Sequence, residues 1–404
     1  MENKDTIARR KAYQEWSAED ILDSSSNAQN VFTPYDLCYD IIRKLDSKTR
    51  NLVNKDFLVF NLEFAEILIH DFGVSPERIA FWTDCEDKIV FAKNMYEGIK
   101  WVKVELTKES IEIMSKGIKD IKEKDKFDVV IGNPPYQASS NIKRKGGLGS
   151  RNTIWQKFVE LSLELCKKKG YVCLVHPPRW RKPGNELWDI LKVKNMHYVE
   201  MHDAKDGKSM FGVGTRYDWY ILQNSDSNIK TTIKDINNNI YVIDLRPLPF
   251  LPSAHINKVL SLLSSSIEDK FTVLYSSSKY ETRKDWMRKH KDEKYKYPCI
   301  HSTGKKGCCC WYSSKKGVFF GQSKVIFGDS CTIGNVILDL DGEYAMTQHA
   351  MAICTDNKKE AVGIKMALES DNFKNFVESI VWGNFDIDQT VFRHFKRDFW
   401  KEFV

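Results

Sequence analysis

Four consecutive residues, Asn133-Pro134-Pro135-Tyr136, place a side-chain amide, the carbonyls around two prolines and an aromatic ring on one short stretch. Proline fixes φ and carries no N–H, so such a turn is stiff and its carbonyls stay open to a ligand. Asn133 precedes a proline and is driven towards an extended conformation. The chemistry on offer is hydrogen-bond acceptance and ring stacking. His176 and the other histidines show no pairing with a nucleophile that would suggest covalent catalysis.

The elements around the turn must hold it still. A charged run, Lys122 to Lys126, precedes Phe127-Asp128-Val129-Val130-Ile131-Gly132, which reads as a buried parallel strand that must end at the prolines. Open α/β sheets bind ligands at the carboxyl ends of their strands. Earlier in the chain, Phe57 to Phe60 and Ile79 to Trp82 read as strands, Phe64 to Ile69 and Lys88 to Met95 as helices, and Trp101 to Val104 as a further strand. Strands alternating with helices predict a doubly wound parallel sheet. Leu37, Ile41, Ile42 and Leu45 mark a helix, with Thr33 and Pro34 as its start signal. After the turn, Gln137 to Asn152 is rich in Gly, Ser, Lys and Arg and predicts a mobile surface loop. A helix is expected over 153–169, stopped by Gly170, then strands at Tyr171 to Val175 and Tyr217 to Leu222.

With 404 residues the chain can build two domains. Pro247, Pro249 and Pro252 mark the break, giving domains 1–245 and 246–404. The composition, 42% hydrophobic and 29% charged with a net charge of +7, is that of a globular protein. No run of about 18 apolar residues predicts a membrane span. The charged start, Met1-Glu2-Asn3-Lys4-Asp5, predicts an intracellular, cytoplasmic protein. The 10 cysteines include no C-x-x-C pair, so reduced thiols and no metal site are expected. Cys308-Cys309-Cys310 is expected to pack inside a hairpin.

The second region has a different texture. Between Lys279 and Lys316, basic residues alternate with Tyr280, Trp286, Tyr295, Tyr297, Trp311 and Tyr312. That mixture suits phosphate contacts combined with base stacking. A solvated charged face would have the same composition.

In its Asn-Pro-Pro-Tyr turn at the end of an apolar strand, the chain resembles the adenine-N6 DNA methyltransferases that use S-adenosylmethionine. The order of parts is similar to the γ group: Asn30-Val31-Phe32-Thr33-Pro34 first, the catalytic turn next and a target-recognition domain last. Gly170 to Trp180 and Phe211 to Leu222 look like later family segments, and Trp382-Gly383-Asn384-Phe385 to Trp400 looks like recognition-domain endings in restriction–modification enzymes. The resemblance covers residues 28–222 well and the remainder loosely.

It implies a Rossmann-like methyltransferase sheet with a second, α+β target-recognition domain. The Asn133 oxygen and the Pro134 carbonyl would accept from the two N–H bonds of a flipped adenine's amine, with Pro135 stiffening the turn and Tyr136 stacking on the base. Trp180 and Phe211 would also meet substrate. For the cofactor the resemblance implies Phe32, Thr33, Pro34, Asn61, Glu63 and Asp84, with Glu86 a rival to Asp84 for the ribose hydroxyls. The family's glycine-rich first loop is missing, since Asn61-Leu62-Glu63-Phe64 has no glycine. Double-stranded DNA would be gripped between the domains, with the loop after Tyr136 closing over it and a separate restriction endonuclease as possible partner. Two other readings use the same residues: an RNA or protein-glutamine N-methyltransferase, and a non-catalytic DNA-binding subunit whose cofactor loop has decayed.

Overall fold

The computed structural model describes residues 32–104, 107–118, 121–137, 153–265, 270–304, 307–331, 333–384 and 386–404. The expected lead-in before Phe32 and the loop after Gln137 lie outside them, as do Lys305, Lys306 and Phe385.

Short apolar runs build the central strands. They are β1 (Phe57–Val59), β2 (Ile79–Thr83), β3 (Lys100–Lys103), β4 (Phe127–Gly132), β5 (Cys166–His176), β6 (Lys194–His202), β7 (Tyr217–Asp226), β8 (Thr231–Lys234) and β9 (Ile240–Ile243). They form one nine-stranded sheet in the order β3-β2-β1-β4-β5-β7-β6-β8-β9. The β3-to-β5 half is parallel, in register Phe57↔Ile79 and Phe57↔Val129. Chain order reverses between β1 and β4, and such switch points open a crevice at the strands' carboxyl ends. Alternate residues Phe57, Val59, Val129 and Ile131 join the core beneath helices Tyr35–Thr49 and Leu62–His70. Leu58 and Val130, equally buried, point to the other face. There Phe158 of helix Trp155–Leu165 meets Phe60 edge-on at 5.3 Å.

Three local expectations are revised. First, β7 runs antiparallel to both β5 and β6, so the far half of the sheet is mixed rather than parallel. Second, β5 starts at Cys166, and Gly170 lies inside it at a register shift instead of stopping a helix. A β-carbon at Gly170 would stand 2.7 Å from the Asp128 carbonyl oxygen, so this bulge needs glycine. Third, Pro34 takes the N-cap position of helix Tyr35–Thr49 instead of its first helical position.

Contacts divide the chain into two compact units, which do not follow a single cut. One holds the chain through Trp180 together with Asp189–Pro247, and the other holds Arg181–Trp188 together with Leu248–Val404. The short stretch is bound into the second unit by polar contacts. Arg181 Nη1 donates to the Leu251 carbonyl (3.0 Å) and Ser253 Oγ (3.1 Å), Lys182 pairs with Asp388 (2.9 Å), and Trp188 Nε1 donates to the Leu248 carbonyl (3.0 Å).

The second unit carries two four-stranded sheets. Strands β10 (Val273–Leu274), β14 (Lys324–Gly328), β15 (Ile337–Asp339) and β17 (Ala350–Cys354) form one, ordered β10-β17-β14-β15. Strands β11 (Met287–Arg288), β12 (Tyr297–Gly304), β13 (Gly307–Ser313) and β16 (Ala345–Met346) form the other, ordered β11-β13-β12-β16. Helix Lys358–Glu369 and the aromatic residues Phe373, Phe376, Trp382, Phe392, Phe395, Phe399 and Phe403 close a core over the first sheet. Lys324 is fully buried there and is neutralised by Asp339 at 2.5 Å. The cysteine triplet lies on β13, yet Cys308 is exposed and its neighbours half-buried, because that strand has a solvent-facing side.

Candidate active site

At the carboxyl end of the sheet, β4 is pressed against the loop that follows β1. The Phe60 N–H donates to the Ile131 carbonyl at 3.2 Å. Gly132 has φ +157°, and a β-carbon on it would stand 2.8 Å from Phe60 Cβ and 3.0 Å from Asn61 Oδ1. The close approach of β4 to the loop after β1 thus depends on Gly132, the residue before the turn. Asn61 uses the contact: its Oδ1 accepts the Asn133 backbone N–H at 2.5 Å. It makes no capping bond to its own helix.

The Asn133 side chain is 4% exposed and held from behind. Its Nδ2 donates to Thr33 Oγ1 at 3.3 Å, while the Thr33 backbone N–H faces Glu63 Oε1 at 3.5 Å. Its other atom, Oδ1, is buried and accepts no hydrogen bond among the described residues. A buried acceptor left open costs about 1–3 kcal/mol, which a ligand bearing an N–H would recover. Pro134 is buried and Pro135 half-buried beside it.

Tyr136 keeps part of its surface exposed although it lies deep among protein atoms. Burial, with the negative charge of Asp218 behind it, pushes its phenol well above the ordinary range, so the ring stays neutral. Asp218 is itself buried, pairs across the sheet with His176 and accepts the Trp180 indole N–H at 2.8 Å. Trp180 is therefore not a cleft-facing surface: it is wholly buried and packs on Tyr220 and His176. His176 stacks on Trp155 at 4.8 Å and lies 3.3 Å from the Tyr220 hydroxyl, a structural histidine. Phe211, half-buried at the end of helix Ala204–Phe211, meets Tyr217 edge-on at 4.9 Å.

Around the β1–β2 ends, Glu63 is fully buried on the first turn of helix Leu62–His70, and Phe32 is buried. Burial, then the charge of Glu63, raises the Cys38 thiol. Asp84 is half-buried after β2, and burial raises its carboxyl, with Lys88 opposing. Glu86 is exposed and paired with Lys103 at 2.7 Å, which separates the two rivals: Asp84 is the carboxylate held in the fold, Glu86 the solvated one. Sequence reasoning passed over Gly132 and Asp218. An isolated glycine closing a strand and a carboxylate inside the apolar run Tyr217–Leu222 were the available signals.

In the second unit the basic residues lie on their aromatic neighbours. Lys315 Nζ is 4.2 Å from the centre of the Trp286 ring, Arg288 is 5.1 Å from that of Tyr295, and Lys296 is 5.6 Å from that of Tyr297. Among the described residues no group of three His, Cys, Asp or Glu side chains could hold a metal ion, and no helix is long and apolar enough to cross a membrane.

Residues 67–211 match the family model of the Eco57I restriction-modification methylase. That span contains the Asn133–Tyr136 turn and ends at Phe211, while Thr33, Asn61 and Glu63 precede it. An uncharacterised adenine-specific methylase of Mycoplasma pneumoniae is 37% identical over 90 residues, 21% of this chain and 20% of that protein. The chain thus spans about a fifth of the curated relative it matches. The cryo-EM structure of a DrdV–DNA complex superimposes with a TM-score of 0.51 at 10% identity, over 96% of this chain and 57% of that one. A modification subunit of a putative type I restriction enzyme from Vibrio vulnificus gives 0.41 at 12% identity, over 58% of this chain and 53% of that one. Over residues 67–211 the chain is similar to restriction-modification methylases, and its sheet is doubly wound and Rossmann-like.

Proposed function

We propose that the chain is a sequence-specific DNA methyltransferase that transfers a methyl group to the N6 amine of a flipped adenine. The observation that carries this reading is the open, buried Asn133 Oδ1 on a proline-stiffened turn. Adenine's exocyclic amine is a poor nucleophile because its lone pair is delocalised into the ring. Two acceptors on its two N–H bonds, Asn133 Oδ1 and the Pro134 carbonyl, favour a pyramidal nitrogen whose lone pair points out of the ring plane. Tyr136, kept neutral, offers its face to the base. Catalysis here is positioning and fixed dipoles, without a nucleophile of the protein's own.

The residues at the β1–β2 ends fit S-adenosylmethionine, which supplies the electrophilic methyl group. Asp84, half-buried with its carboxyl raised by burial, is placed for ribose hydroxyls, and Glu63 at the first turn after β1 for an ammonium group. Phe32, Thr33 and Pro34 border the same region. Asn61 is already engaged with the turn, so the glycine-free loop serves catalysis rather than marking decay. For the second unit we infer target recognition, with Trp286, Tyr295 and Tyr297 and their basic neighbours on the DNA. The DNA-bound DrdV structure supports DNA as partner through fold likeness, and restriction–modification is the corresponding biological setting.

The test is transfer of labelled methyl from S-adenosylmethionine to adenine in duplex DNA. Asn133→Ala should lower the rate by at least about a hundredfold, the scale of removing one preorganised transition-state partner. Full activity in that variant, or methylation of peptide glutamine but not of DNA, overturns the reading.

A further inference from the structure

A carboxamide works as an acceptor only if its oxygen faces the ligand. Rotation by half a turn would present N–H groups to the adenine amine, donor against donor. Something other than the ligand must therefore decide which way Asn133 points. The candidates on the page are the two residues bonded to it. Thr33, fully buried, takes the Nδ2 hydrogen at its Oγ1, and Asn61 takes the backbone N–H at its Oδ1. With Nδ2 committed to Thr33, Oδ1 is the atom left over, and it is the atom left without a partner.

We propose that Thr33 and Asn61 are positioning residues of the catalytic turn: Thr33 sets the sense of the Asn133 amide, and Asn61 fixes its backbone. This rests on the methyl-transfer reading and extends it. Thr33 lies 100 positions from Asn133 in the chain and Asn61 lies 72, so the clamp exists only in the folded sheet. Neither residue need touch a reacting atom. Gly132 is part of the arrangement, since it gives Asn61 Oδ1 the room to reach the turn. The local geometry gives Thr33 a duty apart from helix initiation, because Pro34 holds the N-cap position.

Thr33→Val keeps the shape and removes the acceptor. Its single-turnover methyl transfer, measured at saturating cofactor, should fall by roughly 10–100-fold, the usual cost of losing a supporting hydrogen bond. Thr33→Ser keeps the oxygen and should restore the rate to within about threefold of wild type. Asn61→Leu should resemble Thr33→Val in rate. A binding measurement reads the amide's sense without turnover. A duplex with hypoxanthine at the target base offers an acceptor at position 6 where adenine offers a donor. Wild type should favour adenine, and Thr33→Val should lose most of that preference.

Wild-type rate and preference in Thr33→Val overturn the proposal. So do a Thr33→Ser variant as slow as Thr33→Val, and losses that disappear at saturating cofactor. If Thr33→Val does not fold, Thr33→Ser and Asn61→Leu decide by the same two readouts. Failure of wild type to methylate adenine in DNA is a separate result and sinks the underlying reading instead.

Discussion

Gly132 has no room for a β-carbon, and its neighbours are poorly able to yield. Two of the three atoms it would strike are Phe60 Cβ and the Phe60 backbone nitrogen, and the third is the Asn61 oxygen that holds the turn. Gly132→Ala should therefore cost about 1–3 kcal/mol of stability as overpacking and should slow transfer more than the loss of fold explains. Thermal melting and single-turnover rates measured on the same sample check this. Asp84 gives a pH signature. Burial raises its carboxyl, so on falling pH it gains its proton earlier than a free aspartate does. If the charged form binds the ribose hydroxyls, cofactor affinity should begin to weaken above the ordinary aspartate range. Asp84→Asn should lower affinity at neutral pH by roughly tenfold, the worth of one charge-assisted hydrogen bond, and should abolish the pH dependence. Titration calorimetry across pH reads both effects.

Elements differ in how openly the sequence announces them. The strands β1, β2 and β4 and the turn after β4 were legible because short apolar runs stop at residues that cannot continue a strand. Strand β6 escaped, since Lys194–His202 mixes Lys, Asn, His and Glu among its apolar residues and shows no clean alternation. Its polar members have local work. Glu200 is approached by Tyr198 (2.6 Å), Lys234 (2.9 Å) and His202 (3.5 Å). Burial pushes its carboxyl up, but these partners prevail and hold it down to about 2. A depressed carboxylate stabilises the fold above its unfolded pKa and loses that contribution as pH falls through the folded one. Glu200→Gln should thus cost about 2–3 kcal/mol near neutrality, with the gap from wild type closing between about pH 4.5 and 2. Urea unfolding at several pH values measures it. The start of β5 was hidden for another reason: Lys167-Lys168-Lys169-Gly170 resembles a helix end, but the bulge that uses Gly170 is set by Asp128 across the sheet. Thr33 is similar. A hydroxyl before proline looks like a cap, and only the folded sheet supplies the amide that donates to it.

For the whole molecule, composition and the proline cluster near residue 250 were enough to suggest two domains. They could not show that eight residues from the middle of the first, Arg181–Trp188, belong with the second. Nothing local marks them, because what assigns them is a set of partners some 60 to 200 positions away, including Leu248, Leu251 and Asp388. The neighbouring residues Trp180 and Arg181 are both fully buried, the first bonded to Asp218 and the second to Leu251 and Ser253. Each is anchored in its own unit.

That placement bears on how such a protein can be cut, grafted and recombined. A fragment of residues 248–404 would lack the Arg181 guanidinium and the Trp188 indole, leaving the Leu248 carbonyl without that donor and Leu251 and Ser253 short of another. It should be less stable than its size suggests, and adding a peptide of residues 181–188 should raise its melting temperature. Exchange of specificity between relatives by swapping only the carboxyl-terminal half would carry the same defect. If the second unit reads the target, as proposed, the exchangeable cassette is discontinuous, and an eight-residue staple must travel with it.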